Sequence, residues 1–445
     1  MKKINKLFIC FILLVGVFMS TFAAAGVFPY KVDTRVLDNG MKIIMIPLES
    51  PGLVAYYSIV RTGSRDEWEP GHSGFAHFFE HMMFRGTKKY PGPVYDRIMT
   101  EIGANTNAFT SDDLTAFYLI FNKDNLEKVI ELEADRFQNL SYTEQAFKTE
   151  AGAVYGEYQK NLASPYSILF EKLMDTSFDI HTYKHTTMGF RKDIIAMPTM
   201  YEYSKSFFSR YYRPENVVLV ITGDFNPEMT FQLIQQYYAD WKSGYVRPNI
   251  VPEPEQKQER QAEVTFSGRT LPILTIAYKG PAFSVENKDV ASCFILGNLA
   301  FGENSELYKK LVIQEQRVQY LSPGFDFHRD PKLLTIMSMV KKEEDVKAIQ
   351  DEISLTVEKF QTTPVMMEKL EAEKNHARYS FLMNLDTPGK VADSLVRLIA
   401  ITGGIKSVDG LYEIIESLSP EDIKSAAQKF LASRHRTIVV LRGGK

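Results

Sequence analysis

Short runs of β-branched and apolar residues at 34–37 and 41–46 predict two strands, and Asp38-Asn39-Gly40 between them is a strong signal for a tight turn. A third strand is expected over 56–61. Helical periodicity, with apolar positions three and four apart, then takes over at 75–84, 94–102, 125–139 and 144–162. Residues 246–260 break the pattern. Three prolines among many charged residues make this stretch a poor helix and a poor strand, so it is expected to be a surface linker. Beyond it the order recurs, with a strand near 273–278, helices near 291–299 and 306–314, and then further strands and long helices. The segments before the linker (208–224) and before the terminus (430–443) also end alike. Each is a helix end, a basic turn and a β-branched strand closing on glycine. A repeat of roughly 200 residues points to duplicated α+β domains packed as one body.

The first residues stand outside this repeat. Lys2, Lys3 and Lys6 precede an apolar run from Leu7 to Met19, and small residues Ala23-Ala24-Ala25 follow. That is the layout of a cleaved signal peptide, and the run is shorter than the ~20 residues a membrane span needs. The expected organisation is therefore a signal at 1–25, an N-terminal domain at 27–245, the linker at 246–260 and a C-terminal domain at 261–445. Its expected destination is the periplasm or the exterior, with no stable membrane span in the mature chain. The whole chain carries a net charge of −3, and losing three lysines makes it more negative, which argues against a nucleic-acid surface. Of the two cysteines, Cys10 lies in the signal and Cys293 remains alone, so no intramolecular disulfide and no multi-cysteine metal site can form. Any metal must be held by histidine and carboxylate.

The chemistry concentrates in residues 71–87. On a helix, His77 and His81 lie four apart on one face, about a turn from each other, where two imidazoles can share one zinc. Glu80 stands next to His81, close to the same face, placed to meet water rather than metal. This is the H-x-x-E-H order. Ser73 and Gly86 are expected at the ends of that helix. His72 lies before the helix and off the spacing. A catalytic zinc usually takes three protein ligands and keeps one position for water. In the 144–162 helix, Phe147, Glu150, Val154 and Glu157 recur every three to four residues, putting two carboxylates on an apolar stripe. Glutamates are rarely buried there without a partner, which zinc or its histidines would supply.

These residues resemble the insulinase-like zinc peptidases, the group of pitrilysin, insulin-degrading enzyme and mitochondrial processing peptidase, in a short bacterial-type form. Glu157 stands 76 residues after His81 and Glu150 seven before Glu157, the spacings of that group's third ligand and supporting glutamate. Gly63-Ser-Arg-Asp-Glu67, the run from Phe84 to Pro91, and Gly103-Ala-Asn-Thr-Asn107-Ala108 resemble its segments around the site. The resemblance implies two homologous domains, each a mixed sheet packed with helices. It also implies one Zn2+ per chain on His77, His81 and Glu157, with Glu80 as base, Glu150 in support, and a peptide substrate paired to an edge strand at Asn107-Ala108. The group often carries an arginine and, seven residues later, a tyrosine in the second domain, both reaching the active site, which implies that Tyr320 is a substrate-binding residue. Here Tyr320 is present, position 313 is Ile, and Arg317 is out of register. This departure leads to the expectation of a dimer in which a zinc-less homologue supplies an arginine. The alternative is a metal-binding or structural subunit with little activity alone.

Overall fold

The computed structural model describes residues 26–444, so the expected signal segment and Cys10 lie outside the described residues. Two mixed sheets form the framework. The first contains β1 (Asp33–Val36), β2 (Lys42–Pro47), β3 (Leu53–Val60), β4 (Asn105–Thr110), β5 (Thr115–Asn122) and β6 (Val217–Gly223), in the spatial order β1-β2-β6-β3-β5-β4. The second contains β7 (Arg260–Phe266), β8 (Ile273–Lys279), β9 (Val318–Phe325), β10 (Leu333–Val340) and β11 (Arg436–Gly443), in the order β7-β11-β8-β10-β9. Without β1, the two orders are the same topology. The pairs β2–β6 and β7–β11 are parallel, and every other pair is antiparallel. The repeat read from the sequence is thus a duplicated domain. The stretch between β6's following helix and β7 contains no regular structure from Trp241 to Glu259.

Local signals set the element ends. The β1–β2 turn closes through the Gly40 N–H on the Leu37 carbonyl (2.9 Å), with Gly40 at φ 89°, a region glycine enters without penalty. Helices α1 (Phe75–Met82), α2 (Gly92–Glu101), α3 (Leu126–Asn139) and α4 (Glu144–Asn161) follow the expected periodic segments, and α5 (Pro165–Ser177) is a further helix beyond those expected. The expected helix at 306–314 differs: only Glu306–Tyr308 is α-helical, and Lys309–Gln314 widens into a π-turn.

The central strands β3 and β6 are buried along nearly their whole length, because both faces of the sheet are covered. One face packs on the N-terminal helices, the other on Pro388–Thr402 from the C-terminal half. The Thr222 hydroxyl there donates to the Pro388 carbonyl at 2.7 Å. The exchange is reciprocal: Leu169, Leu173 and Met174 of α5 pack against Ile273, Ala277, Val439 and Leu441 of the second sheet. Each half completes the other's core, so the two are one body with a cleft between them.

Candidate metal centre

Helix α1 is launched by an acidic cap and a glycine rather than by Ser73. Gly74 sits at φ 93°, and a Cβ there would lie 2.7 Å from the Met188 carbonyl oxygen. The Glu67 carboxylate accepts from the N–H groups of Gly74 (2.7 Å) and Ala76 (2.6 Å), satisfying the free donors of the helix start. Ser73 instead donates to Asp193 at 2.6 Å. The expected serine cap is therefore corrected, because Glu67 reaches back across a turn to take its place. At the other end α1 tightens into a 3-10 turn, Met83–Arg85, and stops at Gly86 with φ 85°.

This short helix lies against α4, where Thr143 caps the start by accepting from the Ala146 N–H. Phe78 meets Phe147 edge-on at 5.0 Å between ring centres. Next to that contact the polar groups converge. His77 Nε2 and His81 Nε2 lie 3.7 and 3.3 Å from the same Glu157 oxygen. The three groups all fall within 4.8 Å of one another.

The donor set fits a zinc ion. His81 presents Nδ1 to Glu150 Oε1 at 3.0 Å; opposite a carboxylate that nitrogen donates, which leaves a lone pair on Nε2 facing His77 and Glu157. With His77 Nε2 and a Glu157 oxygen, that makes three potential ligand atoms gathered around one space. The His81–Glu157 edge of 3.3 Å is the separation of two ligands on a tetrahedral ion with ~2.0–2.1 Å bonds, and the His77–Glu157 edge of 3.7 Å is a little wider. Burial and the neighbouring His81 pull His77 down to about 4, so it is neutral and ready to ligate. The Glu150 hydrogen bond raises His81. Burial pushes Glu150 up, but His81 and Arg85 outweigh it and hold the carboxyl below its usual range. Arg85 hydrogen-bonds the second Glu150 oxygen.

Glu80 is half-buried, and burial raises its carboxyl. Thr110, the last residue of β4, donates its hydroxyl to Glu80 Oε2 at 2.6 Å. His77, Glu80 and Glu157 open onto a cavity of about 690 Å³ between the halves, walled by Phe109, Phe170 and Met174 and by Lys332 and Leu333 from the second half. Strand β4 is the free edge of its sheet. Asn107 is exposed, and its side chain accepts the Ala108 N–H at 2.9 Å.

Other residues singled out from the sequence lie elsewhere. Tyr320 is not among the residues lining this cavity; its hydroxyl bonds Tyr166 at 3.2 Å. Ile313 is 58% exposed on the π-turn, and Arg317 is spent on Glu315 and Asp345. His72 stacks on Tyr203 at 3.9 Å. Sequence reasoning missed Arg85, Thr110 and Glu67. Arg85 had a signal, standing four residues after His81 on the same helical path, whereas Thr110 and Glu67 become relevant only through folding.

Residues 54–190 match the family model described as Insulinase (Peptidase family M16), and residues 200–376 match Peptidase M16 inactive domain. The zinc protease PqqE of Helicobacter pylori is 27% identical over 421 residues, covering 93% of each chain. The mitochondrial-processing peptidase subunit beta of Dictyostelium discoideum is 24% identical over 416 residues, 90% of this chain and 86% of that one. A crystal structure of a protease from Helicobacter pylori superposes with a TM-score of 0.87 at 26% identity, covering 93% of this chain and all of the other.

Proposed function

The chain belongs to the insulinase family of peptidases, M16, and from that premise we propose that it is a zinc-dependent endopeptidase acting on unfolded peptides. The observation that carries this reading is the convergence of His77, His81 and Glu157 beside a carboxylate, Glu80, held at the mouth of a peptide-sized cleft.

In this reading His77, His81 and Glu157 hold one zinc ion, and Glu150 orients His81 through its Nδ1 proton. Bound there, zinc supplies Lewis acidity that brings the pKa of water toward neutrality. Glu80 takes the proton of the attacking water as the oxygen–carbon bond forms. It then gives that proton to the amide nitrogen as the carbon–nitrogen bond breaks. The raised affinity of Glu80 for a proton suits both halves of that transfer. An extended peptide adds to the free edge of β4, where the Ala108 N–H exchanges its Asn107 partner for a substrate carbonyl. From the leader-like residues 1–25 we further propose that the enzyme acts in the periplasm or outside the cell. Among the described residues no helix is long and apolar enough to cross a membrane.

Three variants separate the roles. His77→Ala and Glu157→Gln are expected to lose zinc, while Glu80→Gln keeps zinc and loses cleavage of an unstructured fluorogenic peptide. A zinc-free Glu80→Gln protein, or one that still cleaves, overturns the assignment.

One observation favours a second, dependent form of this reading. Ile313 stands exposed where paired relatives are expected to carry an arginine, and Tyr320 does not line the cleft. We propose that full activity requires a zinc-less homologue that supplies the missing cation. Losing such a donor commonly costs about a hundredfold in rate. The purified chain alone is then a weak peptidase, and adding the homologue raises its rate. Full activity from the chain alone, unchanged by Ile313→Arg, removes the reason for a partner.

A further inference from the structure

The C-terminal half reaches the catalytic cavity through the ends of β9 and β10 and the loop 326–332 between them, which contributes Asp326, His328 and Lys332 to its wall. Lys332 is the only lysine or arginine among the lining residues, yet its ammonium is already engaged, 2.5 Å from Asp112 Oδ2. His328 Nδ1 sits 3.0 Å from Asp113 Oδ2. The Arg329 guanidinium donates to the Asp113 carbonyl at 3.0 Å, and to the carbonyls of Arg61 and Ala400 at 2.9 Å each. Three residues of one loop thus grip the turn 111–114 of the other half. From beneath, the Arg65 N–H donates to the Asp112 carbonyl at 2.8 Å. Gly63 packs so closely that a Cβ there would come within 2.2 Å of the Ser111 oxygen. The turn is clamped on both sides, and it immediately follows Thr110. Among the described residues, the Thr110 hydroxyl makes the only side-chain hydrogen bond to Glu80.

We infer that the loop 326–332 is a positioning element of the active centre, in which Lys332 and His328 fix the turn 111–114 so that Thr110 holds the Glu80 carboxylate in line with the cleft. The inference deepens the peptidase reading and rests on it: the half without zinc ligands sets the geometry of the base. Both partners of the Lys332–Asp112 pair are largely out of water, and removing one leaves the other buried and unpaired. The Asp112 carboxylate then moves toward solvent and takes the turn with it. A misplacement of about 1 Å at a catalytic group costs on the order of a hundredfold in rate.

The experiment is a double-mutant cycle on the zinc-loaded full chain with Lys332→Met, Thr110→Val and the pair. The expected result is a 10- to 100-fold fall in kcat for each single variant, with KM within about twofold and zinc content unchanged. The double variant falls no further than the worse single one, because both changes act through the same carboxylate. Lys332→Arg restores most of kcat. A loop that merely fastens the halves would lower thermal stability and leave kcat per folded molecule untouched, and that result, or additive losses, overturns the inference. A crystal structure of Lys332→Met adds an arm independent of turnover: the Glu80–Thr110 bond is expected to be broken, and finding it intact also overturns the inference. Should the zinc-loaded wild type cleave no peptide, the peptidase reading fails while the structural arm still decides this one. Should Lys332→Met not fold, Lys332→Gln keeps a donor, drops the charge, and is carried through the same measurements.

Discussion

Replacing Glu150 with glutamine isolates the support of a zinc ligand from the ligand itself. Glu150 is 3% exposed, accepts His81 Nδ1 through one oxygen at 3.0 Å and meets Arg85 through the other. Glutamine keeps the shape but removes the charge, and it puts an NH2 group against either His81 or Arg85. Arg85 is half exposed and can turn to water, so the misfit falls mainly on His81. Loss of a partner behind a metal-binding histidine typically costs 10- to 100-fold in affinity, or about 1.4–2.7 kcal/mol. One effect opposes this. The Glu150 bond raises the proton affinity of His81, so removing it also lessens competition from protons. That compensation is largest below the folded pKa and fades as pH rises, so the measurement belongs near pH 8. Metal-stripped wild type and Glu150→Gln would compete for zinc against a chromophoric chelator, with thermal unfolding of the metal-free proteins as a control for folding. Affinities within twofold at pH 8 would refute the idea that Glu150 holds His81 for the ion.

The pair Glu133–Arg136 is fully buried at 2.5 Å, with the guanidinium among the rings of Phe84, Tyr95 and Phe117; Glu133→Ala strands that charge and is expected to cost about 3–5 kcal/mol in chemical denaturation. Asp112 and Asp330 are each held down to about 2, against burial, by Lys332 and His328 in the first case and by His181 and Arg65 in the second. Because their folded pKa values are depressed, their stabilisation is complete above pH ~4 and is lost as pH falls toward 2, about 2 kcal/mol each; thermal melts between pH 5 and 2.5 are expected to drop steeply, and less so for Asp330→Asn. Edge-strand binding predicts that a globular protein is cut only once unfolded, and that Ala108→Pro, which deletes the N–H now bonded to Asn107, raises KM about tenfold with zinc intact. Equal cleavage of the native and unfolded forms contradicts the first part, and an unchanged KM the second.

The sequence alone reached the features that depend on near neighbours along the chain. One turn of helix is enough to bring His77 and His81 onto a common face, so their pairing needed no tertiary information. The stripe of Phe147, Glu150, Val154 and Glu157 marked two carboxylates as needing a partner for the same reason. Asn39-Gly40 gave the first hairpin, and the prolines of 246–260 gave the break between halves, because both act on backbone dihedrals directly. The repeat was legible in outline, but the swap of α5 and Pro388–Thr402 between the two sheets was not, since an apolar helix face does not say which sheet it will cover. Ser73 looked like a cap because capping is usually local; Glu67, reaching back from outside the helix, took its place. The tertiary structure alone decided that Thr110 meets Glu80, that Arg85 backs Glu150, and that Lys332 and His328 lie against Asp112 and Asp113 some 215 residues away in the chain. Chain order carries no record of such distances, because they arise where independently formed hairpins meet, and their geometry is fixed by the packing of whole sheets.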